Sequence, residues 1–558
     1  MQAAKSKGSF LTEALIISLS SFLVKIIGVV YKVPLADMLG TSMGVFNAAY
    51  SVYSMLFMLS TSGLPTAISR MVAAAAEKGR KLETQKILKN AVIVLGALGF
   101  VLSLAMYIFA EPLADWSKHP DAATAIKVIS PTLFFICVAS AFRGYFQGLH
   151  NMYPTAISQF IEAFFKLALG LGAAYYARSA GYSTVEQAAF AICGLTVGVF
   201  FGMAFLVLYK RFGKKYQFES ITSECAADSD ILHRFVQIAA PVAVTSSALY
   251  MTHFLDTLVI NQRLVKAGYE LEVADKMYSA YTTLATSLSD LVPSTLVYPV
   301  AISILPAVSA AIAVGRMKDV RRYCMQSLRM SVIISSPFAL CMAVLAKPCI
   351  SLIYGSGWGG TVTLLSGQTI TLVDLASGCL SILSLGMILI STLSTSNALL
   401  QAIGKVTAPM FSVLLAVIPL LGLQLLLISM PSVGIYGAPI ATIVCYFAAL
   451  TLNLGKLKRT LPKLRLTFKR LFFKPLFCSA ASAIVCAVVY ALLSTLLAGS
   501  TSRLASALYI IASAVFAVPV YVILMLKLNG ITASEVELLP KGNRIAQLLL
   551  SKGMLKSH

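Results

Sequence analysis

Apolar runs of about twenty residues or more recur from residue 10 to residue 526, each closed by a short polar stretch, and runs of that length span a bilayer as helices. The pattern predicts about fourteen spans, near 10–38, 44–72, 88–111, 125–148, 153–177, 187–209, 235–261, 278–313, 330–354, 368–401, 407–429, 435–454, 475–498 and 504–526. They are numbered span 1 to span 14 in chain order. The fold class expected is an all-α polytopic membrane protein. Composition agrees, since 58% of residues are hydrophobic and only 12% charged, whereas soluble domains carry about a quarter charged. "MQAAKSKGSF" at the start is short and basic, and the apolar run after it is too long for a signal-peptide core, so no cleavable leader is expected.

The pattern also repeats itself. "PTAIS" at 65–69 recurs as "PVAIS" at 299–303, "GR" at 79–80 recurs at 315–316, and "AEP" at 110–112 recurs as "AKP" at 346–348, all at offsets of about 235 residues. "YFQGLHNMYPTAIS" (145–158) echoes "LLQAIGKVTAPMFS" (399–412). The larger offset there fits one insertion of about eighteen residues, the Gly-rich loop "GSGWGGTVTLLSGQ" (355–368). A repeat of six spans is even, so both halves cross the membrane in the same sense, and a transport site is expected at the repeat interface. The expected organisation is two pseudo-symmetric six-helix lobes, 1–232 and 233–460, followed by two further helices and a tail, 461–558. Pro65, Pro241, Pro293, Pro299 and Pro306 interrupt the spans, which is tolerated beside neighbouring helices or a wet cavity.

The net charge of +22 does not indicate nucleic acid. About three-quarters of the Lys and Arg fall on the termini and the even-to-odd loops, which by the positive-inside rule puts both termini in the cytoplasm. Clusters such as "KRFGKK" (210–215) and "KLKRTLPKLRLTFKR" (456–470) are topology signals and contacts for anionic membrane lipids, and no aromatic-interleaved recognition module accompanies them. The ten cysteines form no CxxC and no Cys/His cluster, so neither a metal site nor a disulfide framework is expected.

Some charges lie inside the spans. Lys25 and Lys32 share a stripe of span 1 with Ser18, Ser21 and Gly28, while Leu23, Ile26, Ile27 and Val30 cover the rest; Asp37 lies further on. A lysine at the bilayer centre costs about 2.5–3.5 kcal/mol, so Lys25 is expected to face a wet cavity; Lys32 reads either as a second cavity cation or as a snorkelling residue. Arg70 is expected at the end of span 2 and Arg143 near the end of span 4. Glu162 and Lys166 in span 5 stand at i,i+4 in the favourable order and either neutralise each other or serve the site. In span 7, Thr245, Thr252, Asp256 and Arg263 share a stripe, with His253 expected as a packing residue. Asp290 and Asp374 read as single buried acids without a clear partner. The surplus of positive charge in the first half suits an anionic cargo, and phosphate is the anion that Lys and Arg bind through charge-assisted hydrogen bonds.

"FRGYFQGLHNMYPTAISQFIEAFFKLALG" (142–170), "GLPTAISRMVAAAAEKG" (63–79) and "KIIG" (25–28) resemble the stage V sporulation protein B / YtgP branch of the MOP flippase superfamily. That superfamily also holds MurJ, the Wzx-type polysaccharide flippases and the MATE exporters. The resemblance implies a fourteen-helix fold with a central cavity, a groove for a polyprenyl tail at spans 13 and 14, and a lipid-linked saccharide diphosphate as cargo. For MurJ and YtgP that cargo is the peptidoglycan precursor lipid II. It further implies that Lys25, Lys166, Arg70 and Arg143 engage the diphosphate. Two departures stand out. The branch usually carries Glu-Gln-x-x-Arg in span 5, where this chain has Glu162, Ala163 and Lys166, and lysine offers a point charge in place of a bidentate fork. Span 11 holds no Asp or Asn, so an ion site drawn from spans 7 and 11 is left with Asp256 alone.

The function expected is a flippase of the bacterial plasma membrane, acting as a monomer by alternating access. It would have no catalytic residues, cofactor or metal, and be coupled to the membrane potential or to a monovalent ion. The rivals are a flippase for another lipid-linked polysaccharide, a MATE-type cation or drug antiporter, a membrane-embedded glycosyltransferase, and a non-transporting assembly factor. The outer loops hold no paired carboxylates of the kind a glycosyltransferase needs.

Overall fold

The computed structural model describes residues 64–116, 120–213, 228–354, 360–464 apart from 366, 469–496 and 503–532. It also describes residues 19–25, short runs between 27 and 57, and residues 535, 547 and 551. Among the described residues, eleven helices are long and apolar enough to cross a membrane, and they coincide with spans 3–6 and 8–14. Span 7 is part of one 40-residue helix, Asp228–Ala267, which runs through Pro241. The described positions of span 1 are helical, and span 2 continues as the helix Leu64–Glu77.

Local sequence explains where helices start and stop. Ser183 caps span 6 (Thr184–Phe212) in a capping box: its hydroxyl accepts from the Glu186 backbone, while the Glu186 carboxylate accepts from the Ser183 N–H. Span 5 (Tyr153–Ser179) opens with Pro154, where the missing N–H costs nothing.

The sequence duplication reappears in the backbone. Gly79 closes the helix Leu64–Glu77 with φ +71°, and the N–H groups of Gly79 and Arg80 bond to the carbonyls of Ala76 and Ala75 at 3.0 Å. Gly315 closes Tyr298–Ala313 with φ +74°, and Gly315 and Arg316 bond to Ile312 and Ala311 at 3.0 and 2.9 Å. Both are Schellman turns, which need a left-handed residue at the same place. The "GR" repeat is that turn.

Two compact units emerge, one holding 13–247 with 305–317 and the other 248–304 with 318–558. The first has one core around Tyr31, Leu35, Ile126, Leu133 and Ile192, and a second around Ile68, Val72, Ile87 and Leu206. The second unit packs Ile260, Leu264, Tyr281, Leu284, Leu375 and Leu380. Large apolar side chains are also exposed, for example Phe100, Val101 and Leu104 on span 3 and Phe411, Leu415 and Ile418 on span 11. On a membrane protein these are the lipid-facing surfaces.

Two expectations are refined. The Gly-rich insertion is not all loop: Thr361–Thr363 pairs antiparallel with Thr369–Thr371. Alternation of Thr with Val362 and Ile370 supplies the strand pattern. Span 8 is segmented: the helix Leu271–Ser279 leads into wide π-type turns at Ala280–Thr286 and Pro293–Val297 before Tyr298–Ala313.

Candidate functional site

Span 5 carries Ser158, Glu162 and Lys166 at successive steps of four, so they lie along one face. Small residues hold this helix close against span 6. A Cβ at Gly198 would stand 2.6 Å from the Glu162 carbonyl oxygen, one at Gly202 3.1 Å from that of Ser158, and one at Gly194 2.3 Å from Gly170 Cα. Gly194, Gly198 and Gly202 form a small-xxx-small seam, the means by which membrane helices approach without side chains between them. Span 4 is drawn against the helix Leu64–Glu77 in the same way, with Cβ positions at Gly144 and Gly148 falling 2.7 Å from the carbonyl oxygens of Pro65 and Ser69.

Arg143, beside Gly144 on span 4, reaches span 5 instead. Its Nη2 stands 2.8 Å from Glu162 Oε2, and its Nε donates to Ser158 Oγ at 3.2 Å. The two side chains are only 12% and 23% exposed. One turn further on, Lys166 Nζ lies 5.0 Å from the ring centroid of Tyr31 and 5.5 Å from that of Tyr50, within cation–π range. Tyr31 is fixed by its hydroxyl, which donates to the Ala191 carbonyl at 3.2 Å. Tyr50 stacks on Phe46 and tilts against Tyr53.

Span 1 runs parallel to span 5. Ser20 Oγ donates to the Ala156 carbonyl at 2.9 Å at one end, and Tyr31 meets Lys166 and Gly170 at the other. Lys25, between them, therefore sits at the depth of Glu162. At about 100° per residue, span 1 has three faces: Ser20, Tyr31 and Leu35 packed, Ser21, Lys25 and Gly28 half-buried, and Leu19, Phe22, Leu23 and Val30 exposed. A Cβ at Gly28 would meet nothing within 4 Å, so the polar stripe borders open space.

The structure thus brings Arg143, Glu162 and Lys166 into one site and sets Lys25 level with it. Glu162, which sequence spacing pairs with Lys166, is engaged by Arg143. Arg70 does not end its helix as expected but lies midway along Leu64–Glu77; it is half-buried and carries no side-chain hydrogen bond or ion pair among the described residues. Lys32 and Asp37 lie outside the described residues. Sequence reasoning missed Tyr31, Tyr50 and the glycine seam, although the Gly-x-x-x-Gly spacing was visible.

A second polar pair lies in the other unit. Asp256 on span 7 is 4% exposed, and its Oδ1 accepts from Gln424 Nε2 on span 11 at 2.5 Å. Gln424 is fully buried, and its Oε1 has no hydrogen-bond partner among the described residues. Span 11 therefore does meet Asp256 with a polar side chain, from an amide where an acid or Asn was sought. Asp374 is not alone: it pairs with Lys347 at 2.6 Å and accepts from Thr371 Oγ1 at 2.8 Å. Asp290 is exposed. Among the described residues no group of three or more His, Cys, Asp or Glu is placed to hold a metal.

Solved structures share the fold. An outward-facing multidrug resistance MATE family transporter of the MOP superfamily superposes with a TM-score of 0.65 at 14% identity, covering 82% of this chain and 97% of that one. A MOP superfamily transporter from Pyrococcus furiosus, described as having a binding pocket of reversed polarity, gives 0.66 at 15%, covering 83% and 98%. The fold is that of the MOP superfamily transporters, and the chain is an all-α polytopic membrane protein. The polysaccharide biosynthesis protein family matches residues 10–312, more than half of the chain, and the chain belongs to that family; the MatE family also matches 276–425. Three Bacillus subtilis proteins are similar along most of their length. The uncharacterised membrane protein YabM is 24% identical over 540 residues, 96% of each chain. Stage V sporulation protein B is 24% identical over 544 residues, 96% of this chain and 98% of its own. Lipid II flippase MurJ is 25% identical over 459 residues, 80% and 81%.

Proposed function

We propose that this transporter moves a lipid-linked saccharide diphosphate, lipid II in the first instance, from the inner to the outer leaflet by alternating access. Membership of the polysaccharide biosynthesis family supports the cargo class, and similarity to a lipid II flippase supports the particular cargo. The observation that carries the reading is the charge of the layer built on spans 1, 4 and 5. Arg143, Lys166 and Lys25 bring three positive charges to this layer, and Glu162, matched to Arg143, one negative. A diphosphate is the complement of that surplus, and lysine and arginine donate charge-assisted hydrogen bonds to it.

Both termini lie in the cytoplasm on this reading, and the protein acts as a monomer of the bacterial plasma membrane. An inward-negative potential favours outward movement of an anion by about 2.3 kcal/mol per charge per 100 mV, so the potential can supply part of the driving force. The two repeats, 1–232 and 233–460, are the moving lobes. Span 8, with its π-type turns, is a bending element.

Complementation of a bacterium depleted of its lipid II flippases tests this, with wild type, Lys25→Ala and Lys166→Ala at equal, verified membrane levels. Growth with wild type and failure of both variants supports lipid II as cargo and the cationic layer as its site. Growth with all three retains the cargo and removes the layer from the mechanism. Failure of a well-inserted wild type overturns lipid II and favours another lipid-linked glycan. The buried Asp256 favours a second reading, a MATE-type antiporter, and that outcome would also raise it.

A further inference from the structure

Outside the site just described, one place in the first unit gathers positive charge without a matching acid. Lys210, in the last turn of span 6, turns back onto Tyr145 of span 4. Its Nζ donates to the Tyr145 hydroxyl at 2.5 Å and lies 4.1 Å from the ring centroid. Lys81 starts the span 3 helix (Lys81–Ile108), its carbonyl accepting from the Thr84 hydroxyl at 2.8 Å, and its charge acts on Lys210. The Thr84 hydroxyl stands beside Tyr145. Tyr145 is buried, Lys210 half-buried and Lys81 exposed, so the cluster opens at the surface. The acid of the same turn, Glu83, is committed to Arg80 at 3.3 Å. Among the described residues neither lysine has a carboxylate partner.

A lysine on a tyrosine hydroxyl, with a second lysine charge acting on it and no carboxylate partner for either among the described residues, is suited to an anion. Spans 4 and 6 end here and span 3 begins here, so this is the side that the positive-inside count assigns to the cytoplasm, where the leaflet surface is anionic. The Tyr145 ring packs in the core of the first unit and its hydroxyl meets Lys210 at the edge of that core. We infer that Lys81, Lys210 and Tyr145 form a binding site for the phosphate of an anionic phospholipid of the inner leaflet. The site is separate from the Lys166 layer and does not depend on the cargo reading.

The test uses the full chain, delipidated in mild detergent and titrated with phosphatidylglycerol or phosphatidylcholine, with the first bound lipid counted by native mass spectrometry. Wild type is expected to retain phosphatidylglycerol over phosphatidylcholine. Lys81→Gln, a change at an exposed side chain that leaves the fold intact, is expected to weaken the first phosphatidylglycerol about five-fold, and Lys81→Gln with Lys210→Gln about twenty-five-fold. Lys456→Gln with Lys458→Gln, two exposed lysines at the end of span 12, serves as the control and is expected to change affinity less than about two-fold. Equal losses in both pairs would overturn the site, because the lipid would then be following net charge alone. Displacement of phosphatidylglycerol by low-millimolar inorganic phosphate would overturn the lipid and leave a free-anion site.

Discussion

Arg143 of span 4 and Glu162 of span 5 face each other at 2.8 Å in a largely buried ion pair, with Ser158 accepting from the same guanidinium at 3.2 Å. Removing one member leaves the other's charge in a poorly solvated place, at a cost of about 3–5 kcal/mol, whereas replacing both with apolar residues is often close to neutral. Glu162→Leu is therefore expected to lower thermal stability in detergent clearly, and the double change Arg143→Met with Glu162→Leu to recover most of it. Equal destabilisation by the single and the double variant would show that the pair is not what holds spans 4 and 5 together here.

The double variant also separates structure from transport. If the pair only joins two helices, the apolar version should complement growth once it is stable. If Arg143 engages the cargo, growth is lost although the protein folds. The expected result is loss, because the double change keeps the net charge of the layer but removes the guanidinium that would donate to a diphosphate.

Lys166 rests over Tyr31 and Tyr50. The cation–π contacts contribute about 0.5–2 kcal/mol to holding the ammonium in place. Lys166→Ala is expected to reduce flipping by about ten- to a hundred-fold, the scale of one charge-assisted hydrogen bond, with Lys166→Arg retaining most activity. Tyr50→Leu keeps the charge but frees its position, and an intermediate loss is expected. The readout is lipid II exposure at the outer leaflet at matched protein levels. A Lys166→Arg variant as poor as Lys166→Ala would mean that shape, not charge, is being measured.

The glycine seam gives a prediction with its own control. Gly198→Leu places a side chain where even a Cβ would lie 2.6 Å from the Glu162 carbonyl oxygen, so spans 5 and 6 must separate. A loss of stability above about 3 kcal/mol is expected, larger than an ordinary overpacking cost because backbone blocks the space. Gly172 lies on the same span 5 helix with nothing within 4 Å of its Cβ. Gly172→Ala should be neutral or stabilising by up to about 1 kcal/mol through helix propensity alone. Thermal unfolding of the two variants checks both.

Much of this was legible in the sequence, because a bilayer makes hydrophobic length a direct reporter of helix position. Span 5 was expected over 153–177 and is Tyr153–Ser179; span 11 was expected over 407–429 and is Thr407–Leu427. Repeated turns were legible too, since only a left-handed residue closes a Schellman turn and Gly79 and Gly315 supply it. Partners across helices were not. Spacing along one helix ties Glu162 to Lys166, but Arg143 lies nineteen positions earlier on a different helix, and only the packing of spans 4 and 5 brings it to Glu162. Asp374 looked single for the same reason, because Lys347 comes from a different helix. The search of span 11 for acids and Asn passed over Gln424, since an amide signals a buried partner only after the helix faces are known.

That amide carries the last prediction. Gln424 donates to Asp256 at 2.5 Å with both side chains buried. Gln424→Leu leaves a buried carboxylate one donor short, a loss of about 1–3 kcal/mol. Asp256→Asn keeps the contact, because an amide oxygen still accepts from Gln424, and a smaller loss is expected. Asp256→Leu with Gln424→Leu removes both polar groups and should be less destabilising than Gln424→Leu alone, giving a positive coupling energy in a double-mutant cycle. Stability read by thermal unfolding, in the same detergent for all four proteins, decides it. Independent, additive losses would mean that the two side chains do not depend on each other. A stable double variant that no longer complements growth would instead assign this pair a part in the transport cycle.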